Sequence, residues 1–345
     1  MVRRARARKL LTAVGLVALG CASTRPPSTP AGAAVEIVWP APPQPARIRY
    51  LRTVERPRDL GIRASIWQRM QQFLSGGTDE GFVRPTSVAA DGQVWYIADP
   101  GAHALWILDA AAGRQRAVHA AGTQALVSPV AVALRQGDGV YLVDSQLRKV
   151  FVFSADGRLS ASIADPRFRS PSGIAYDRQR DRLYVTDSAA HTVWVLDGEG
   201  IPTGSIGERG TGDTQFNFPT HISVDQSGTI YVIDALNFRL QMFDAGGKFM
   251  GRFGQHGDTS GEFAMPKGLA IDSKGHIYIV EALFDAVQIF DRQGDYLLTF
   301  GRRGTGPGEF WLPSGAFIDD RDRIYIADAY NQRVQVFQYV GTGDD

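Results

Sequence analysis

An acidic residue stands at the same place six times along this 345-residue chain: Asp99, Asp144, Asp187, Asp234, Glu281 and Asp328, each closing an apolar run such as VWYIA (94–98) or IYIA (324–327). Six carboxylates gathered around one axis would offer oxygen ligands to a divalent cation. Carboxylates at strand ends have a second use, accepting hydrogen bonds from the backbone N–H groups of the following turn. Recurrence favours that use, because a turn needs its acceptor in every copy whereas an ion needs one site. Glu281 carries an extra methylene and is a candidate channel group. The histidines, His103, His119, His191, His221, His256 and His276, are too scattered to supply three converging zinc ligands. His221 sits on a predicted inner strand and is the second channel candidate. No Ser-His-Asp order or nucleophile elbow occurs, and the glycines between 204 and 212 lack the strand-to-helix context of a phosphate cradle. No catalytic residue, metal ligand set or cofactor is therefore expected.

These residues are positioned by a repeat. Copies begin at Pro85, Pro129, Pro171, Pro219, Pro266 and Pro313, spaced 44, 42, 48, 47 and 47 residues apart. Each contains three short runs rich in Val, Ile, Tyr and Phe and a fourth such as KFMGRF (248–253), separated by turn residues, which predicts four antiparallel strands. Runs such as Ile277, Tyr278, Ile279 and Val280 are apolar at consecutive positions, so both sheet faces must be covered. Six sheets arranged radially cover one another. The expectation is an all-β, six-bladed β-propeller over 46–340. The sixth copy ends after its third strand, and ARIRYLRTV (46–54) is expected to supply the fourth and close the ring; residues 341–345 form a tail. A residue three before each proline, Phe82, Leu126, Phe168, Phe216, Phe263 or Phe310, reads as a peg between blades. Ile66, Trp67, Met70, Phe73 and Leu74 fall at helical spacing and predict one short helix at about 64–75.

The run GEFWLPSG (308–315) followed by IYIADAYNQRVQVF (324–337) resembles the NHL-repeat family of six-bladed propellers, and the resemblance extends over 82–339. Two enzyme groups with related architecture define what an active version would need. Peptide-amidating lyases of this type place a zinc-binding histidine directly after a repeat proline, where this chain has Thr86, Val130, Ser172, Thr220, Lys267 and Ser314. Regucalcin-like lactonases hold a divalent ion with Glu, Asn and Asp, a role for which Glu281, Asn237 and Asn331 are the available residues.

Residues 1–20 combine Arg3, Arg4, Arg6, Arg8 and Lys9 with an apolar stretch from Leu10 to Leu19, the pattern of a secretory signal. VALGC (17–21) resembles the bacterial lipobox, which implies lipidation of Cys21, and Ala22 after it implies the outer membrane. Cys21 is the only cysteine, so no internal disulfide forms. Seven prolines between Ala22 and Ala46 predict an extended tether over 21–45. Loss of the signal's five basic residues leaves 32 basic against 36 acidic, a balance that offers nothing to nucleic acid.

The loops after the second strand differ between copies and share one face of the disc. They carry His103, Arg148, Lys149, His191, Asn237, Arg239, Phe284, Asp285, Tyr330, Asn331 and Arg333, a candidate face for a protein, peptide or glycan partner. For Asn237, Arg239, Asn331 and Arg333 the competing role is bracing of the repeat. The functional expectation is a lipid-anchored, non-catalytic binding or scaffolding module of the cell envelope. Its rival is a metal-dependent hydrolase or lyase at the channel mouth.

Overall fold

The computed structural model describes residues 36–62, 81–137 and 139–341, all within the unit Glu36–Asp345. They form six antiparallel sheets arranged as the blades of a propeller. Blade 4 is representative: its inner strand Pro219–Val224 pairs with Ile230–Asp234, that strand with Arg239–Phe243, and that one with the outer strand Phe249–Phe253. Blades 1, 2, 3 and 5 repeat this order from inner strands Ser87–Asp91, Pro129–Leu134, Pro171–Asp177 and Pro266–Ile271.

Blade 6 takes Ala316–Ile318, Arg323–Asp328 and Arg333–Tyr339 from the C-terminal end, and its fourth strand is Ile48–Val54 from the N-terminal end. Ile48 pairs with Tyr339 and Val54 with Val334, so the ring is closed as the missing strand required. A further two-residue strand, Val38–Trp39, pairs outside it with Arg49 and Ile48. This corrects the expectation of an extended tether throughout 21–45. Val38 and Trp39 precede Pro40, so their N–H groups are intact, and the Trp39 ring packs 5.7 Å from Phe300 and 5.8 Å from Phe337. The proposed signal segment, Cys21, the helix expected at 64–75 and residues 342–345 lie outside the described residues.

Consecutive apolar positions are explained by where alternate side chains go. Ile277 and Ile279 enter a cluster with Tyr231, Ile233 and Leu240 of blade 4, while Tyr278 and Val280 enter a cluster with Ile324, Ile326 and Phe337 of blade 6. Six such clusters lie between successive blades, and each holds one peg: Phe82, Leu126, Phe168, Phe216, Phe263 or Phe310. The rings of Phe216, Phe263 and Phe310 pack on the backbone of Gly207, Gly254 and Gly301 at the end of the preceding outer strand. At Gly254, where φ is +101°, a Cβ would stand 2.3 Å from Phe263, so only glycine admits the ring.

Candidate functional site

Inner and second strands run antiparallel, with Pro219 opposite Asp234 and Pro266 opposite Glu281. The proline linkers, the recurrent acids and the loops after the second strand therefore share one face, the linker face. The turns joining inner to second strands form the opposite, hairpin face.

The six acids serve the blades. Each is fully buried, and Asp99, Asp144, Asp187 and Glu281 accept the backbone N–H groups of both residues between the peg and the proline, Asp99 from Val83 and Arg84 at 2.7 and 2.9 Å and Asp187 from Arg169 and Ser170 at 2.7 and 2.8 Å, whereas Asp234 and Asp328 accept one each, from Asn217 and Trp311. Glu281 behaves alike, accepting from Ala264, Met265 and Leu283. It does not line the axial cavity, which corrects its assignment as a channel group. The extra methylene is taken up within the blade. Burial pushes its carboxyl up from the ordinary glutamate value, and the N–H groups of Met265, Ala264 and Leu283 offset part of that.

In blades 4 and 6 the acid is the centre of a larger staple. Asp328 accepts from Trp311 N–H, Asn331 Nδ2, Arg333 Nε and Gln335 Nε2 at 2.9, 2.9, 2.7 and 3.2 Å. Arg333 also donates to the carbonyls of Thr305, Gly306 and Glu309, and Asn331 to that of Gly304. Asp234, Asn237, Arg239 and Gln241 reproduce this around the loop 210–215. Blade 5 has Phe284, Asp285 and Ala286 in place of the Asn-x-Arg stretch, and among the described residues Glu281 has no cationic partner.

The proposed partner face is accordingly smaller than expected. Arg239, Asp285 and Arg333 are buried and committed to internal bonds, Asp285 accepting the Leu312 N–H at 2.6 Å; they are not available to a partner. Asn237 and Asn331 are half-buried braces. Lys149 donates to Gln124 at 2.8 Å, and His191 accepts the Phe218 N–H at 3.2 Å, its ring edge-on to Phe218. Phe284 is half-buried, whereas His103, Arg148 and Tyr330 are exposed. His103, although exposed, places Nδ1 2.6 Å from the carbonyl of Val127 in the next linker.

Apart from Tyr330, sequence reasoning missed the apolar side chains that the linker face shows. Val83, Phe218 and Trp311 from the linkers, with Leu236, Leu283 and Tyr330 from the second-to-third-strand loops, are exposed large apolar side chains, Leu283 at 57% and Tyr330 at 52%. Trp311 and Tyr330 lie 5.7 Å apart. Elsewhere Ile201 is exposed in the turn between the third and outer strands of blade 3, and Leu51, Leu159, Met250, Tyr296 and Leu297 are exposed along outer strands. A signal was present in the sequence: apolar residues stand between the peg and the proline, where the chain is neither strand nor core.

A cavity of about 340 Å³ lies on the axis, lined by inner-strand residues of all six blades. Its walls combine small apolar residues, among them Ala89, Ala131, Val132, Ala175 and Ala270, with polar ones such as Ser87 and Ser223, and Asp91, Arg178 and Asp320 stand at its mouth on the hairpin face. Toward the linker face the inner strands close in. A Cβ at Gly268 would lie 2.6 Å from Ala316 N, one at Gly315 2.4 Å from Thr86 O, and one at Gly173 2.5 Å from Thr220 O. His221 borders this cavity, and burial, with a smaller push from the Lys267 charge, takes its imidazole down to about 3, so the ring is neutral at physiological pH. Among the described residues no group of three His, Cys, Asp or Glu is placed to hold a metal ion.

The fold and the repeated staples define a six-bladed β-propeller. A family model described as a 6-bladed beta-propeller, DUF5128, matches residues 227–287 and 274–342, and the NHL repeat model matches 168–196. The chain is thus a six-bladed propeller, in which residues 168–196 match an NHL repeat. No curated protein matches it in sequence. Among solved structures, an auxiliary nutrient binding protein from Bacteroides thetaiotaomicron is similar with a TM-score of 0.61 at 14% identity, over 76% of this chain and 71% of that one. Another auxiliary nutrient binding protein, from Bacteroides ovatus, gives 0.58 at 16% identity over 74% and 69%. Virginiamycin B lyase from Staphylococcus aureus gives 0.56 at 11% identity over 75% and 96%. At these identities the likeness is one of fold.

Proposed function

We propose that this chain is a non-catalytic binding and scaffolding module of the bacterial cell envelope, exported, lipidated at Cys21 and held at the outer membrane, which docks a protein or peptide partner on its linker face. The observation that carries the reading is the set of exposed apolar side chains Val83, Phe218, Leu236, Leu283, Trp311 and Tyr330 on that face. Large apolar side chains concentrated on one surface, rimmed by polar groups such as Arg148 and His103, characterise interaction sites. Similarity of fold to nutrient-binding proteins agrees with a binding role. The rival reading, a metal-dependent hydrolase or lyase, needed Glu281 and His221 together; Glu281 is enclosed by backbone donors away from the cavity.

A photo-crosslinking amino acid placed at Leu283, Tyr330 or Ile201 in the expressed, membrane-associated protein tests this. The expected result is the same discrete protein adduct from Leu283 and Tyr330 and none from Ile201. Equal adducts from Ile201, or glycan-only or no adducts from the linker face, would overturn it. Replacement Cys21→Ser should move the protein from the membrane fraction to the soluble one.

A further inference from the structure

The loop after each second strand reaches sideways to the linker that enters the next blade. His103 Nδ1 lies 2.6 Å from Val127 O, Ser145 Oγ lies 3.2 Å from Ser170 Oγ, and His191 Nδ1 accepts the Phe218 N–H at 3.2 Å. The Phe238 ring stands 4.4 Å from that of His256, and Asp285 accepts the Leu312 N–H at 2.6 Å. These contacts fix the order of side chains around the linker face. Arg148 of blade 2 and Arg169 of blade 3 stand on touching segments, the loop of blade 3 leads on to Phe218, and Leu236, Leu283, Trp311 and Tyr330 follow over blades 4 to 6.

The two sectors of that arc differ in chemistry. Among the described residues, the linkers and loops of blades 2 and 3 present no exposed large apolar side chain. They carry Arg148, Lys149, Arg167 and Arg169 against one carboxylate besides the sealed strand-end acids, Asp165, which pairs with Arg167 at 2.8 Å. The linkers of blades 4 to 6 have the opposite balance, Glu208, Asp213, Asp258, Glu262 and Glu309 against Arg209, Arg302 and Arg303. Arg148 and Arg169 are exposed, and their guanidinium groups have no bonded partner among the described residues. Elsewhere Arg114, Arg158 and Arg252 each meet a carboxylate, at 2.8, 2.9 and 3.2 Å. A basic sector with unengaged guanidinium groups thus runs directly into an apolar one.

Given docking on the linker face, we propose that the partner is an acidic protein segment, in which bulky apolar residues adjoin a run of carboxylates. The apolar part lies over Phe218, Leu236, Leu283, Trp311 and Tyr330, and the carboxylates meet Arg148 and Arg169. A guanidinium holds a carboxylate through two parallel N–H donors. Such pairs beside an apolar contact set the register of the bound segment and discriminate among partners more than they add affinity. The separation of charge from apolar surface is what selects a segment with two unlike ends. A lipid surface is the same throughout its plane, and cations interspersed with the apolar side chains would match it better.

The test pans random peptides displayed on phage against the purified full-length protein, then synthesises the strongest binder and measures its affinity by fluorescence anisotropy. Selected sequences should join Trp, Phe or Leu to neighbouring Asp or Glu. Arg148→Glu combined with Arg169→Glu should weaken the synthetic peptide by about tenfold or more, and raised salt should weaken it severalfold. Leu283→Ser should weaken it by about tenfold. All three side chains are exposed, so the variants should keep the circular dichroism and urea midpoint of the parent. Peptides without acidic residues, whose affinity falls in Leu283→Ser but not in the arginine pair, would overturn the acidic segment and leave linker-face docking standing. Peptides indifferent to Leu283→Ser would overturn both. Selection of no peptide, or binding of phosphatidylglycerol vesicles in place of peptides, would also overturn the acidic segment.

Discussion

Replacing Arg333 by methionine tests whether the Asn-x-Arg staple is structural. The guanidinium of Arg333 is 5% exposed and Asp328 is fully buried, and the arginine makes one bond to the carboxylate and three to the carbonyls of Thr305, Gly306 and Glu309. Removing one member of a buried pair typically costs about 3–5 kcal/mol, because the other charge is left uncompensated. Here Asp328 keeps the Trp311 N–H and the amides of Asn331 and Gln335, which moves the expectation to the lower end, about 3 kcal/mol. That is more than a hundredfold in the ratio of folded to unfolded protein, since each 1.4 kcal/mol is a factor of ten. The control is Arg114→Met, whose arginine pairs with Asp109 at 2.8 Å but is 75% exposed, where a loss of about 0–1 kcal/mol is expected. Urea unfolding followed by both tryptophan fluorescence and circular dichroism reads the difference, with coincident transitions required before energies are compared. If the two variants fall within about 0.5 kcal/mol of each other, the staple is not what holds the linker to the blade, and Arg333 returns as a partner-binding residue.

Two further outcomes follow from the same geometry. Arg49→Pro removes the N–H that faces Gln338 across the ladder between Ile48–Val54 and Arg333–Tyr339 and should lower the urea midpoint by an amount corresponding to roughly 3 kcal/mol, whereas an unchanged midpoint would mean that the closing strand adds nothing to the ring. Glu281 has its carboxyl raised above the ordinary 4.5 by burial, so the folded state disfavours its ionised form. Its contribution is complete below 4.5 and is lost as pH rises through the raised value. Urea midpoints measured across this range should fall less with pH in Glu281→Gln than in the parent, and parallel profiles would refute the assignment.

Most of the architecture was legible because propeller blades are local units. Period, strand count and the need for cover on both faces follow from residues within each repeat, and the absent fourth strand of the last copy pointed to residues 46–54. The candidate site was less legible. Tyr330 and Arg333 are three residues apart in one loop, yet one is exposed and the other sealed beneath the linker 304–309, which lies 24 to 29 residues upstream of Arg333. Trp39 was assigned to a tether on the strength of the prolines around it, although its ring finds Phe300 and Phe337 at the far end of the chain.

By itself the sequence determined the blade: alternate side chains must be buried on two sides and each turn needs its acid, and these demands are met within about 47 residues. Only the tertiary structure decided which polar residues brace the ring and that the axial cavity opens on the hairpin face. The physical reason is that neighbouring repeats meet side by side around the axis. A residue's surroundings are therefore set by the copy one period away, and no local pattern records whether that neighbour offers a partner or leaves a gap.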